Sequence, residues 1–224
     1  MKLYMHPISM TSRPVRLFIA DNNIDCEQEL VDLMKGAHLQ EPYLSRNPNH
    51  MVPWLEDGDF TLTESSAILK YLADKIGSPS YPKDLKARAK VNEIMDWINV
   101  NFYRDWGYGL AYPQIFPHHK RRSDEAHAAT IEWGAERSKR WLGLLNDHWI
   151  GPQKKYLCGD QITIADYFAS GIVTCGELIG CDFSPYPNIR RWLDTMKRLP
   201  GWEKTNVEFY GLRDALKAKD FVRV

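Results

Sequence analysis

The chain is 224 residues long, enough for one large domain or two of ordinary size. Its 29 basic and 29 acidic side chains cancel, so the long-range positive field that gathers nucleic acid or anionic lipid is excluded as a property of the whole molecule. No apolar run approaches the roughly 20 residues that cross a bilayer and Met1–Pro7 has no signal-peptide core, so a cytosolic protein with no membrane and no nucleic-acid partner is expected.

Leu3-Tyr4-Met5 reads as a short strand, followed by a helix that carries Val15, Phe18 and Ile19 on one face and stops near Asn22-Asn23. Cys26 to Val31 reads as a second strand. A loop over Asp32–His38, a short helix near Leu39–Ser45 and a break at Asn47-Pro48 come next. Val52–Leu55 and Phe60–Leu62 flank Glu56-Asp57-Gly58-Asp59, and Asp-Gly between apolar runs specifies a tight hairpin of antiparallel strands. Thr63 is placed to cap the following helix, whose Ala67, Ile68, Tyr71 and Leu72 recur at helical spacing up to Gly77. Turn formers crowd Gly77–Pro82.

Beyond that point strand alternation disappears. Leu85 to about Tyr108 reads as one long helix, broken by Tyr112-Pro113 through Pro117. A second carries Ile131, Ala135, Ser138, Leu142, Leu145 and Trp149 as a buried stripe. A third starts at Thr163-Ile164-Ala165-Asp166, where Asp supplies the acidic partner of a capping box, and Pro187 opens a fourth that ends before Pro200-Gly201. The expected architecture is an α/β thioredoxin-like domain over residues 1–78 with a four-stranded mixed sheet, a linker at 79–86, and an all-α domain over 87–224. Cys26, Cys158, Cys175 and Cys181 show no Cys-x-x-Cys pair and no His spacing suited to a metal, so they read as reduced thiols and no metal is expected.

A thioredoxin-type domain keeps its catalytic dithiol in the first loop, where this chain has Ser9-Met10-Thr11-Ser12. A hydroxyl forms no mixed disulfide, which excludes thiol exchange at that loop. It does donate a hydrogen bond to a thiolate, favouring the charged form and lowering a bound thiol from a pKa of about 8.5. The adjacent helix N-terminus acts in the same sense. Thr11 and Ser12 read as helix caps, whereas Ser9 lies ahead of the cap. Glu64-Ser65, at the first turn of a helix, matches an α-amino acid head group: backbone N–H groups and a hydroxyl for its carboxylate, a carboxylate for its ammonium. The alternative is an acid placed only to favour the helix dipole. Val52 before Pro53 is extended, and a cis bond there turns the Val52 backbone outward to pair with a peptide; the alternative is an ordinary trans hairpin edge.

With these pieces in this order, the chain resembles a cytosolic glutathione transferase, nearest the serine-type theta class. The stretches that carry the likeness are Ile8–Arg13, Val31–Leu39, Asn47-Pro48 with Val52-Pro53, Asp57–Ser65, Leu85–Ala89 and Ile162–Asp166. The resemblance implies that Ser9 stabilises the thiolate of glutathione, the co-substrate, that Glu64 and Ser65 hold its γ-glutamyl end, that Val52 pairs with the cysteinyl unit beside a cis Pro53, and that His38 approaches the glycine carboxylate. Many relatives have Lys, Arg or Gln before the Val-Pro pair. Here Met51 stands there, so either His50 substitutes or Met51 is a dimer contact. Tyr4 falls within the first strand and reads as core.

The resemblance also implies a homodimer and a site for a small electrophile, facing Ile8 and Met10 and lined from the first long helix. Tyr108, Tyr112 and Phe116 offer apolar surface there, and Arg104 either steadies an anionic leaving group or pairs with Asp105 or Asp96. Phe209-Tyr210 and Phe221 either close over the site or pack. His118–Arg122 reads as a solvated loop. The implied activity is conjugation of glutathione to electrophiles, by halide displacement, epoxide opening or peroxide reduction. The rival readings are a non-catalytic binding module of the same fold and a redox enzyme acting through a cysteine.

Overall fold

Four strands, β1 (Lys2–Met5), β2 (Glu27–Leu30), β3 (Trp54–Asp57) and β4 (Phe60–Leu62), form a mixed sheet in the order β2-β1-β3-β4 in the computed structural model, which describes residues 1–224. β1 is parallel to β2, with Leu3 opposite Gln28, and antiparallel to β3, with Leu3 opposite Leu55. A parallel pair needs a crossover, and α1 (Ser12–Asp21) supplies it. Because side chains alternate along a strand, Leu3 and Leu55 face a core with Val15 and Phe18 of α1 and with Ile68, Leu69 and Leu72 of α3 (Ser65–Lys75). Tyr4 and Trp54 go to the opposite face, where their rings stack at 4.6 Å and Tyr43 meets Trp54 edge-on. Tyr4 is therefore core, as expected.

The hairpin forms, with Asp57 opposite Phe60, so its turn is Gly58-Asp59 rather than Asp57-Gly58. Gly58 takes φ 66 at the first turn position, and the Asp57 carboxylate is drawn to Tyr71 and Lys75. Pro42 splits the expected short helix into a 3₁₀ turn over Ala37–Leu39 and α2 (Tyr43–Arg46). Thr63 does not cap α3. The capping position belongs to Glu64, and Thr63 instead accepts a hydrogen bond from Asn49 at 3.4 Å. At the other end Gly77 has φ 63, with Ser78 N–H on the Ala73 carbonyl at 2.8 Å and Gly77 N–H on that of Asp74 at 3.1 Å, which stops α3 where the sequence indicated.

In the helical half, α4 (Leu85–Trp97) continues through wide π-type turns over Ile98–Phe102 and Arg104–Ala111 into α5 (Tyr112–Ile115). The first long helix thus runs past Tyr108 and through Pro113. Pro113 falls in the first turn of α5, after a segment whose i→i−5 bonding relaxes the usual proline clash, and the Leu110 carbonyl is taken by the Gln114 side chain at 3.0 Å. The break falls at Phe116, which is extended ahead of Pro117. The stripe on α6 (Asp124–Leu144) and the wide turns that extend it to Ile150 buries Ser138, Leu142 and Leu145, with Ile131, Ala135 and Trp149 half-buried. It crosses the first helix where two glycines touch. A Cβ on Gly134 would lie 2.5 Å from the Gly109 carbonyl carbon.

Every residue of α7 (Ile164–Val173) is buried, and Thr163 and Asp166 form the expected capping box. The Asp166 carboxylate also accepts from Leu157 N–H at 2.8 Å and Trp192 Nε1 at 3.0 Å, so the box ties three segments together. α8 (Pro187–Met196) begins at its proline. α9 (Trp202–Leu216) lies within the expected all-α domain, past the fourth helix delimited from the sequence. Its Phe209 is fully buried under the Arg13 guanidinium, 3.5 Å from ring centre to Cζ, so this aromatic packs rather than closing over a site. Beyond α9 the chain returns to the end of the first helix, where the Val222 backbone exchanges hydrogen bonds with Gln114 at 2.8 and 3.1 Å. The halves join where α1 lies on α7; a Cβ on Gly171 would lie 2.5 Å from Pro14 Cγ.

Candidate active site

The loop between β1 and α1 is set by local bonds. Ser9 N–H donates to the His6 carbonyl at 3.0 Å, and Ile8 N–H donates to His6 Nδ1 at 3.3 Å, which requires a neutral His6. Burial holds the His6 pKa below its ordinary value, in agreement with that requirement. Ser9 itself caps α1. Its Oγ accepts Thr11 N–H at 3.4 Å and Ser12 N–H at 3.2 Å; Thr11 holds the N-cap position, as expected, but its own side chain makes no capping bond. Ser12 is fully buried with its Oγ against His6 N–H at 3.5 Å. Thr11 turns its hydroxyl the other way, donating to the Val52 carbonyl at 3.0 Å.

Arg13 anchors this turn to the helical half. It is buried without a carboxylate, and its guanidinium donates to Asn206 Oδ1 at 2.6 Å, Thr174 Oγ1 at 3.0 Å and the Gly171 carbonyl at 3.3 Å. Burial pushes its pKa down to about 10, still charged at neutral pH. The Met10 side chain lies beneath it, 2% exposed, with its sulfur accepting from Nη1 at 3.3 Å. Met10 therefore does not face the open cleft expected for it, whereas Ile8 is half-buried on the loop.

A cavity of about 350 Å³ opens between the sheet domain and the first long helix. From one side it is lined by Thr11, Val52, Pro53, Glu64 and Ser65, and from the other by Asn99, Val100, Tyr103, Arg104 and Tyr108. The Val52-Pro53 bond is cis. Its approach is fixed from behind by Asn47, which is 1% exposed and donates from Nδ2 to the Met51 carbonyl at 2.8 Å. Glu64 holds φ 64 and ψ 112, a strained conformation for a side chain with a Cβ, of a kind that costs about 1–3 kcal/mol and gathers at functional sites. The consequence is directional: the Glu64 carbonyl begins α3 by accepting Ile68 N–H at 2.9 Å, while Ser65 stands at the first helical position with its N–H aimed out of the helix end.

Of the expected residues, Ile8, Ser9, Met10, His38, His50 and Tyr112 are not part of the cavity lining, whereas Met51 and Arg104 are. His38 is half-buried on the 3₁₀ turn, its Nδ1 buried without a partner, and burial first, then His118 and His50, hold its pKa low. His50 has φ 53 in the turn before Met51, and Met51 is 54% exposed. Tyr112 is buried with its hydroxyl against that of Tyr103, and burial raises both phenols well above their ordinary pKa, so both stay protonated. Arg104 lines the cavity but is committed to Asp105, with Nε at 3.0 Å and Nη2 at 3.2 Å, the pairing alternative weighed from sequence. Asp105 also accepts from Arg137 at 3.1 Å and Trp141 at 2.7 Å; burial pushes its pKa up, but these bonds outweigh it. In the basic run His118 is exposed, and His119 packs on Tyr108 and Tyr112 at 5.6 and 5.2 Å.

Sequence reasoning missed Thr11, Asn47 and Tyr103 as parts of the site. Asn47-Pro48 reads as a breaker, and nothing local shows that its amide reaches a carbonyl at the cavity. The four thiols are unpaired. Burial raises Cys26 and pushes Cys158 and Cys181 up to about 11 and Cys175 to about 12, so none offers the thiolate that a cysteine-based redox enzyme needs. A larger cavity of about 590 Å³ near Glu177, Arg213 and Phe221 contains none of the residues singled out for the glutathione site.

The family models of the glutathione S-transferase N-terminal and C-terminal domains match residues 1–74 and 116–200. The sequence is 36% identical over 226 residues to human glutathione S-transferase theta-1, covering 99% of this chain and 91% of that protein. Among solved structures, human glutathione transferase theta-2, in complex with glutathione and an unknown ligand, matches with a TM-score of 0.84 at 27% identity, covering 100% of this chain and 93% of the other. A delta-class glutathione transferase of Nilaparvata lugens matches with a TM-score of 0.78 at 32% identity, covering 97% and 98%.

Proposed function

The chain belongs to the glutathione S-transferase family, and on that premise we propose that it binds glutathione along the cavity at Val52, Glu64 and Ser65, holds the thiol ionised through Ser9, and joins it to a small electrophile. Glutathione is its co-substrate and the reaction is a group transfer. The observation that carries the residue assignment is the bonding of Ser9 Oγ. Two N–H groups of the first turn of α1 donate to this oxygen, at 3.4 and 3.2 Å, so its acceptor sites are filled and its one proton is left to donate; that proton now faces Thr11 Oγ1 at 3.1 Å and reaches a ligand sulfur once that contact is exchanged. A hydrogen bond to a charged group contributes about 1.5–3 kcal/mol, which is about 1–2 pK units for the bound thiol. The helix N-terminus adds a smaller term of the same sign.

The remaining chemistry is proximity. The thiolate attacks an electrophilic carbon, the new C–S bond forms, and the leaving group departs with its electron pair; the thiol proton has already gone to solvent. Glu64 faces the ammonium of the γ-glutamyl group, the N–H and hydroxyl of Ser65 face its carboxylate, and the Val52 backbone pairs with the cysteinyl unit. His38 and His50 approach the glycine end. Ile8, Arg104 and Tyr108 border the electrophile, with Tyr112 behind Tyr103. The family places such enzymes in the cytosol as homodimers, and we extend both properties to this chain, with Met51 as a contact with the second copy.

The test is the ultraviolet absorbance of the thiolate of bound glutathione, followed as a function of pH. Wild type should titrate below the free thiol, and Ser9→Ala should move the midpoint up by about 1–2 units. Equal midpoints in the two proteins sink the role of Ser9.

A further inference from the structure

The first loop holds a second hydroxyl that faces the cavity more directly than the first. Thr11 Oγ1 lies 3.0 Å from the Val52 carbonyl oxygen and 3.1 Å from Ser9 Oγ. A carbonyl only accepts, so the single Thr11 proton goes to Val52. The Ser9–Thr11 contact is then donated by Ser9. The three groups form a one-way chain, Ser9 to Thr11 to Val52, and its open end is Thr11, because Thr11 lines the cavity with Val52, Glu64 and Ser65 while Ser9 stands behind it.

We propose that Thr11 is a further catalytic residue, a second hydroxyl that donates to the sulfur of glutathione beside Ser9. This rests on reading the cavity as the glutathione site. The cysteinyl unit brings an amide N–H to the Val52 carbonyl and a sulfur one side-chain length away. The ligand N–H takes over the carbonyl that Thr11 now holds. The Thr11 proton turns to the sulfur, and Ser9, relieved of Thr11 as its acceptor, donates to the same atom. Only hydrogen bonds are exchanged: both hydroxyls keep their protons, and the thiol proton leaves to solvent. A thiolate held by two donors is more acidic as a thiol than one held by either alone.

A purely structural Thr11, tying the loop to Val52, predicts something different. It would lower melting temperature and glutathione affinity when removed, but would leave the pKa of the bound thiol unchanged. The test is therefore the pH titration of bound glutathione in wild type, Ser9→Ala, Thr11→Val, Thr11→Ala and Thr11→Ser, with saturation by glutathione checked for each. Thr11→Val keeps the shape of the side chain and should raise the thiol pKa by about one unit, a tenfold loss of thiolate at a pH below both midpoints. Thr11→Ala should do the same, and Thr11→Ser should restore the wild-type midpoint. A rise with Ser9→Ala but none with either Thr11→Val or Thr11→Ala overturns the inference and leaves the Ser9 reading standing. Equal rises in Thr11→Val and Thr11→Ser also overturn it, since the hydroxyl would then be irrelevant. A rise with Thr11→Val, reversed in Thr11→Ser, together with no change in Ser9→Ala supports Thr11 while removing Ser9.

Discussion

The sheet domain and the helical domain build their sides of the cavity by different means. On the sheet side the lining is set by backbone features, with the proposed ligand-binding side chains seated on them: the peptide of Val52 ahead of Pro53, the N-terminus of α3 behind the strained Glu64, and the capped first turn of α1. On the helical side it is set by side chains, Tyr103, Arg104 and Tyr108, on a helix widened by π-type turns and positioned by what lies behind it. Backbone sites are specified by a few neighbouring residues and tolerate remote change. Side-chain sites inherit every displacement of the core that supports them.

The contrast is broken most severely at Asp166. Removing its carboxylate in Asp166→Ala strands the N–H groups of Leu157, Thr163 and Trp192 in a buried place, and unfolding in urea should show a loss of about 4 kcal/mol. If the sheet side is locally specified, the protein that remains folded should bind glutathione as wild type does. Gly134→Ala probes the same helical side more gently. Its Cβ would meet the Gly109 backbone at 2.5 Å, forcing the two helices apart at a cost of about 2 kcal/mol. The rate with an electrophile should fall while glutathione affinity holds; loss of both together would show that the two sides are not separable.

At the head-group end of the sheet side the effects should be smaller and fall on binding. Glu64→Ala and Ser65→Ala remove contacts made alike in the ground and transition states, so each should weaken glutathione by about tenfold, about 1.4 kcal/mol, with little change in kcat. Equilibrium dialysis beside steady-state kinetics checks this, and unchanged affinity in both contradicts the head-group assignment. The smallest effect is expected at His6. Its folded pKa lies below the unfolded value of about 6.5, so the unfolded chain takes up the proton first and stability is lost as pH falls below about 6.5 through the folded pKa. His6→Gln should flatten that part of the stability curve, and an identical slope in the two proteins would detach His6 from the loop.

The hairpin, the Thr163–Asp166 box, the stop at Gly77 and the opening of α8 at Pro187 were all legible, because each signal lies within about four residues of its effect. Errors arose where an unusual backbone conformation or a distant partner overrode such a signal. Thr63 looks like a cap until Glu64 adopts φ 64, and Pro113 looks like a break until wide turns precede it. The aromatic residues of α9 left open whether they close over the site or pack, and Phe209 is held by Arg13, on the first helix of the other domain. Met10 was expected in the electrophile cleft because it neighbours Ser9, and the same Arg13 draws it inward.

From residue order alone came the division into a strand-and-helix part and a helical part, and the presence of hydroxyls rather than thiols in the first loop. These follow from periodicity and from the chemistry of single side chains, which no packing alters. Which hydroxyl is buried and which looks into the cavity was decided by tertiary structure. Thr11 and Ser12 are alike as local signals, and the bond that separates them runs from Thr11 to a carbonyl 41 residues away. A hydrogen bond over that separation exists only once the sheet has brought β1 beside β3.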